Sequence, residues 1–323
     1  MSVKWGVMGT ANIARGCTIP GMKEADNCEL YAIAGRNETK AQKFKDEFGF
    51  QKAYAGYEKL LEDPDVKAVY IPLPNYLHKE WVIKSLKAGK HVLCEKPMAL
   101  NADEAREMFT VAKENNVFLM EAYAYLHSPI ISSIRSDIDN GLIGDVDYIE
   151  TAFLTQGYVD DIRLYKEQGG GAVYDLGCYC TTMILSMIDS EPDYVRANAE
   201  FNEFGADVFS SAIIRFANGA RAAFNVGMIF DPGKNSRWDR LFIHGSNGTI
   251  KSYYEYNQAG DLSYEINIGE NMLTRKVKAD WNYKLEVEQF GRCIENGEMP
   301  NVTEEFSVKN ARLLDTVLAK IGY

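Results

Sequence analysis

Short, nearly continuous apolar runs alternate with amphipathic stretches through the first part of the chain. Runs at 3–8, 28–34, 52–54, 66–72, 90–94 and 117–121 have the length and β-branched content of buried strands. Between them, 39–48, 79–88 and 102–115 carry helical spacing, and a further helix ends at Asp63-Pro64. Strand followed by helix, repeated, predicts a doubly wound parallel sheet: an α/β Rossmann N-terminal domain over 1–123.

Beyond Tyr123 the pattern changes. A helix at 129–140 precedes longer strands at 146–155, 195–201, 208–216, 221–229, 240–244 and 249–254, rich in β-branched and aromatic residues. Ala217-Asn218-Gly219 and Ser246-Asn247-Gly248 are hairpin turns, so the sheet they join is mixed and mostly antiparallel. Helices at 283–296 and 307–321 close the chain. The second domain, 124–323, is therefore α+β with a large open sheet, its C-terminal helices free to pack back on the first domain.

Length and charge narrow the class. A chain of 323 residues exceeds what one core usually organises. With 46% hydrophobic and 25% charged residues it reads as globular. A net charge of −11 offers no favourable field to nucleic acid or an anionic membrane. No apolar run approaches the roughly 20 residues of a membrane span. The chain enters a strand at Val3, leaving no room for a signal peptide, so a cytoplasmic location is expected. Six scattered cysteines without a CxxC pair read as reduced thiols, and four separated histidines give no metal-ligand spacing, so no metal is expected.

Two stretches carry candidate chemistry. Cys94-Glu95-Lys96-Pro97 ends the run at 90–94, where a strand of a parallel sheet opens toward a ligand crevice. Lys96 there is either a solvated surface residue or a group held over a ligand, with Glu95 as counter-charge and Pro97 fixing a bend. In the second stretch, Gly169-Gly170-Gly171 opens a helix that carries Asp175 and Tyr179 at i and i+4, on one helical face. A tyrosine beside a cation is a competent acid or base, with Lys96 as the candidate cation. A structural Asp and a half-buried Tyr would read the same from spacing alone.

Gly9-Thr10-Ala11-Asn12-Ile13-Ala14 follows the first strand as a degenerate GxGxxG, with alanine in the second and third glycine places. Gly9 permits the tight turn, and the following helix start offers backbone N–H groups to a pyrophosphate. The second strand ends at Arg36, with Lys40 one turn later, where an acidic residue would favour NAD. The basic pair favours a 2′-phosphate, hence NADP(H), with NAD(H) possible; it also suits a solvated strand end. Pro72, Leu73, Pro74, Asn75 and His78 form a loop after the fourth strand, suited to packing on a nicotinamide ring.

Taken in order, these motifs resemble the glucose-fructose oxidoreductase and inositol dehydrogenase family nearly end to end, most specifically through Glu95-Lys96-Pro97 and the block at 169–179. The resemblance implies hydride exchange between a nicotinamide and a sugar, polyol or vicinal diol, and a dimer or tetramer formed through the exposed sheet face. It implies Lys96 as catalytic lysine, Asp175 as substrate contact and Tyr179, where many members have histidine, as acid/base. That tyrosine resembles the branch of dihydrodiol and xylose dehydrogenases. The branch often carries arginine at the place of Leu126; Tyr125 and Arg163 are further substrate candidates. Alternatives on the same fold are a sugar–sugar oxidoreductase with tightly held cofactor, an oxidation/elimination glycosidase, and a non-catalytic NADP(H) sensor.

Overall fold

The computed structural model describes residues 2–234 and 236–323. The chain divides into two compact units, Met1–His127 with Asp280–Val308, and Ser128–Ala279 with Lys309–Tyr323.

The first unit is built on six parallel strands: β1 (Val3–Met8), β2 (Cys28–Gly35), β3 (Lys52–Ala55), β4 (Ala68–Ile71), β5 (His91–Glu95) and β6 (Leu119–Ala122). Their order is β3-β2-β1-β4-β5-β6, with the reversal of winding between β1 and β4. Every residue of β4 is buried, as expected of a central parallel strand covered on both faces. Two of the helices between strands start where a short polar side chain caps them. Asn37 accepts from the Lys40 amide at 3.0 Å, and Asn101 from the Glu104 amide at 2.9 Å. The Asn282–Asn296 helix belongs to this unit, its Phe290 ring 5.7 Å from that of Trp5 in β1.

One boundary near the candidate chemistry moves. The helix after β4 runs Asn75–Lys87, so Asn75 and His78 stand in its first turns and not in a loop. Pro74 immediately precedes it with φ −56°, a backbone already set for helix entry.

The second unit carries eight strands: β7 (Val146–Gln156), β8 (Pro192–Phe201), β9 (Asp207–Phe216), β10 (Arg221–Phe230), β11 (Arg237–Gly245), β12 (Gly248–Ser252), β13 (Gly260–Ile268) and β14 (Asn271–Ala279). The order is β14-β13-β12-β11-β7-β10-β9-β8; β7 and β10 pair in parallel and all other neighbours antiparallel. β13 and β14 extend the sheet beyond the strands expected from the sequence. The Cys178–Met187 helix packs on β7 and is buried nearly all round. The opposite face leaves Ile213, Trp238 and Tyr253 exposed.

Among the described residues no helix is long and apolar enough to cross a membrane. None of the six cysteines is in a disulfide.

Candidate active site

In the first unit the candidate residues gather at the carboxyl ends of β1, β4 and β5. Gly9 follows β1 at φ +121°, where a side chain would be strained, and a Cβ there would meet Leu73 Cδ2 at 3.1 Å. Thr10, Ala11 and Ile13 are half-buried and Asn12 exposed; a π-helical turn, Ala14–Thr18, follows. A small residue at the turn and a partly open helix entry suit the diphosphate of a dinucleotide. Arg36, just past the end of β2, is exposed and acts electrostatically on the Tyr57 hydroxyl; Lys40 is exposed as well.

His78 is fully enclosed. Its ring nitrogens lie 2.7 Å from the Leu73 carbonyl oxygen and 2.9 Å from that of Pro97, tying the segment after β4 to the segment after β5. Burial outweighs these carbonyls and lowers its pKa to about 4, so near pH 7 the ring is neutral and donates to one of the two carbonyls while packing against the other.

Glu95 ends β5 and is buried. Its Oε1 accepts from Tyr70 Oη at 2.5 Å, and Tyr70 Oη accepts from Thr18 Oγ1 at 2.9 Å. Its Oε2 accepts from the Lys96 amide at 3.2 Å. On the far side of the cis Lys96–Pro97 peptide, Glu121 Oε1 accepts from the Met98 amide at 2.9 Å. Two buried carboxylates thus hold the backbone on either side of Lys96, which is itself half-buried. Lys96 acts electrostatically on both His78 and Glu121. Tyr125, in the turn Ala124–His127, has no exposed surface; its ring lies 6.4 Å from that of Tyr123.

In the second unit the glycine block is folded around Asp207. Gly171 has φ +106°, and a Cβ there would fall 2.1 Å from Asp207 Oδ1, so only glycine fits. Asp207 Oδ2 accepts from the Val173 amide at 2.9 Å and Ser210 Oγ at 2.7 Å. Tyr323, the last residue, donates to the Gly170 carbonyl at 2.7 Å.

Asp175 lies in a π-helical turn, Val173–Gly177, and Tyr179 in the α-helix that follows. Asp175 Oδ2 accepts from Arg163 Nε at 2.8 Å, and Asp161 Oδ1 accepts from Arg163 Nη1 at 3.1 Å.

Tyr179 is half-buried in an aromatic box. Its ring meets Phe153 edge-on at 5.3 Å and Tyr256 at 5.1 Å, and those two stack at 5.0 Å. The box residues, and the Arg237–Asp239 pair beside them, come from β7, β11 and the segment after β12. Only strand register brings them together, so local sequence pattern carries no sign of them.

Residues 3–123 match the oxidoreductase family described as having an NAD-binding Rossmann fold, and residues 131–251 match the GFO/IDH/MocA C-terminal domain. The chain belongs to the GFO/IDH/MocA oxidoreductase family.

Within that family it is 33% identical over 319 residues to a D-xylose 1-dehydrogenase (NADP(+)) of Haloferax volcanii, covering 97% of this chain and 95% of that one. It is 35% identical over 224 residues to the trans-1,2-dihydrobenzene-1,2-diol dehydrogenase of Xenopus laevis, covering 69% and 68%. The crystal structure of KijD10, a 3-ketoreductase from Actinomadura kijaniata in complex with NADP and TDP-benzene, superposes with a TM-score of 0.92 at 28% identity, over 99% of this chain and 98% of that one. The chain is thus an NAD(P)-dependent oxidoreductase, with residues 3–123 as its dinucleotide-binding Rossmann fold.

Proposed function

We propose an NADP-preferring dehydrogenase or reductase acting on the CH–OH group of a sugar, polyol or vicinal diol, with Lys96 and Tyr179 in proton transfer. The observation that carries this reading is the setting of Lys96. It follows a central parallel strand, on a bend whose backbone is held by Glu95 and Glu121. Such support fixes a side chain for chemistry at the carboxyl ends of the strands. The relatives named for xylose and dihydrodiol oxidation favour the substrate class.

The bound nicotinamide would supply the hydride acceptor or donor at C4. Gly9, Thr10, Ala11, Asn12 and Ile13 would hold the diphosphate, with Arg36 and Lys40 on the 2′-phosphate. Pro72, Leu73, Asn75 and Glu95 would complete that site, and His78 acts in it by fixing Leu73 and Pro97. Lys96 hydrogen-bonds the reacting oxygen, and Tyr179 takes its proton in oxidation or returns it in reduction. Asp175, with Arg163 as its partner, reads a neighbouring hydroxyl. Tyr125 presents no surface and acts through the packing of its neighbours.

The protein acts in the cytoplasm as a homo-oligomer formed through the second unit's outer sheet face, where Ile213, Trp238 and Tyr253 lie exposed.

The test is a titration with NADPH and NADH, followed by turnover on a panel of aldoses, inositols and vicinal diols. Tighter NADPH binding that Arg36→Ala weakens by about 10- to 100-fold, a charged hydrogen bond's contribution, supports the cofactor assignment. Cofactor binding without turnover on any member would contradict the reading.

A further inference from the structure

Besides Lys96, Tyr179 has in its own unit a cation that the sequence does not reveal. Arg237, at the start of β11, lays its guanidinium 4.5 Å from the centroid of the Phe153 ring, the ring Tyr179 meets edge-on. Its Nη2 donates to the Tyr256 carbonyl at 2.8 Å, the residue forming the other wall of the box. Arg237 therefore touches both residues that flank Tyr179. Its side chain is held in plane by Asp239, which accepts from Nε through both oxygens at 3.0 Å. The Asp239 side chain is 1% exposed and that of Arg237 28%, so the carboxylate end of the pair lies in a low-dielectric setting while the guanidinium is partly open to solvent. Asp239 stands directly opposite Phe153 in the β11–β7 register, which fixes the guanidinium over that ring.

The electrostatics agree with the geometry. Burial works against the charge on Arg237, while Asp239, Glu255 and the Tyr179 hydroxyl favour it and together hold its pKa up. The coupling is mutual: a phenolate at Tyr179 stabilises the guanidinium, and the guanidinium the phenolate. Tyr254 completes the surroundings. It is buried, its hydroxyl meets no hydrogen-bond partner, and its pKa is pushed up first by burial, then by Asp239.

We propose that Arg237 is a positioning residue for proton transfer, a guanidinium fixed by Asp239 on the Phe153–Tyr256 box that stabilises the phenolate form of Tyr179. The proposal rests on the reading of Tyr179 as the proton-transfer group. In oxidation the substrate O–H bond breaks as the Tyr179 O–H bond forms; the C–H electron pair leaves with the hydride to the oxidised nicotinamide, and the phenol later returns its proton to solvent. Other titratable or charged groups around Tyr179 are Asp239 on β11, Tyr254, Glu255 and Tyr256 after β12, Cys180 on its own helix, and Asp175 in the preceding turn. Arg163, the cation nearest in sequence to that turn, is engaged by Asp175 and Asp161.

The test is the pH dependence of kcat/KM for substrate oxidation in the wild type, Arg237→Met, Arg237→Lys, Tyr179→Phe and the double variant Arg237→Met/Asp239→Asn. The double variant leaves no unpaired buried carboxylate, and so keeps the test available if the single Met variant does not fold. The wild type gives a rate that rises as Tyr179 deprotonates. Arg237→Met and the double variant move that rise to higher pH by a unit or more, so that kcat/KM falls at least tenfold at neutral pH and recovers at high pH. Arg237→Lys restores part of the shift. A uniform loss at every pH, with the rise in its original place and lost only in Tyr179→Phe, overturns the inference and spares the reading beneath it. A Tyr179→Phe variant that keeps both rate and profile overturns the reading of Tyr179 itself.

Discussion

Arg163 Nε donates to Asp175 Oδ2 at 2.8 Å, so the aspartate assigned to substrate recognition already has a cationic partner in its own unit. The Asp175 side chain is 13% exposed and that of Arg163 35%, which leaves the pair partly screened by solvent. A double-mutant cycle of Arg163→Met and Asp175→Asn, read by chemical denaturation, should give a coupling energy of about 1 kcal/mol. The same cycle on KM should show Arg163→Met raising it, because Asp175 loses the contact that orients its carboxylate. Additive effects on both quantities would contradict the pairing.

His78 offers a second check, on the cofactor side. Its buried ring lies against two backbone carbonyls, so His78→Phe keeps the bulk but strips the polar contacts. That variant should lose about 1 to 3 kcal/mol of stability and bind NADPH more weakly, measured by denaturation and fluorescence titration. The pH dependence has a definite sign. The folded pKa, about 4, lies below the ordinary 6.5, so the unfolded chain takes up the proton first. The stability this gives is complete above 6.5 and is lost as pH falls toward 4, by at most about 1.4 kcal/mol per pH unit. His78→Phe should flatten that fall.

Much of the first unit is legible in the sequence because central parallel strands are continuous apolar runs and two of the helices between them carry an asparagine cap. Lys96 could be placed at a strand's carboxyl end for the same reason. β13 and β14 were not so evident. In β13, Leu262, Tyr264 and Ile266 alternate and are buried, a period-2 signal that was present. β14 is an edge strand exposed over most of its length, with Arg275, Lys276 and Lys278 on it, so it has little apolar face to read. The start of the last helix at Glu304 also had a signal: the Phe306 amide donates to Thr303 Oγ1 at 3.2 Å, and two acidic residues follow. The Arg237–Phe153 contact, by contrast, depends on a strand pairing between residues far apart in the chain.

Glu286 supplies a prediction that needs no substrate. It lies buried in the Asn282–Asn296 helix, and neither carboxylate oxygen meets a hydrogen-bond partner. Burial, and then the charge of Glu95, push its carboxyl well above the ordinary 4.5, so it folds as a neutral acid. The unfolded chain releases that proton near 4.5. The stability contributed is therefore complete below that pH and declines as pH rises toward the folded value, by up to about 1.4 kcal/mol per unit. Glu286→Gln, which stays neutral, should be more stable than the wild type at pH 8 and show no such advantage at pH 5. Denaturation midpoints at the two pH values measure this. An equal difference at both would mean that Glu286 is ionised in the folded protein.

The most direct test of Tyr179 as the proton-transfer group is single-turnover oxidation by the NADP-loaded enzyme, wild type against Tyr179→Phe, on the best substrate of the aldose, inositol and diol panel, following NADPH appearance. The account predicts a loss of about 10²- to 10⁴-fold in the rate of the chemical step, with the affinity for NADP unchanged. A Tyr179→Phe enzyme that turns over at the wild-type rate would contradict it.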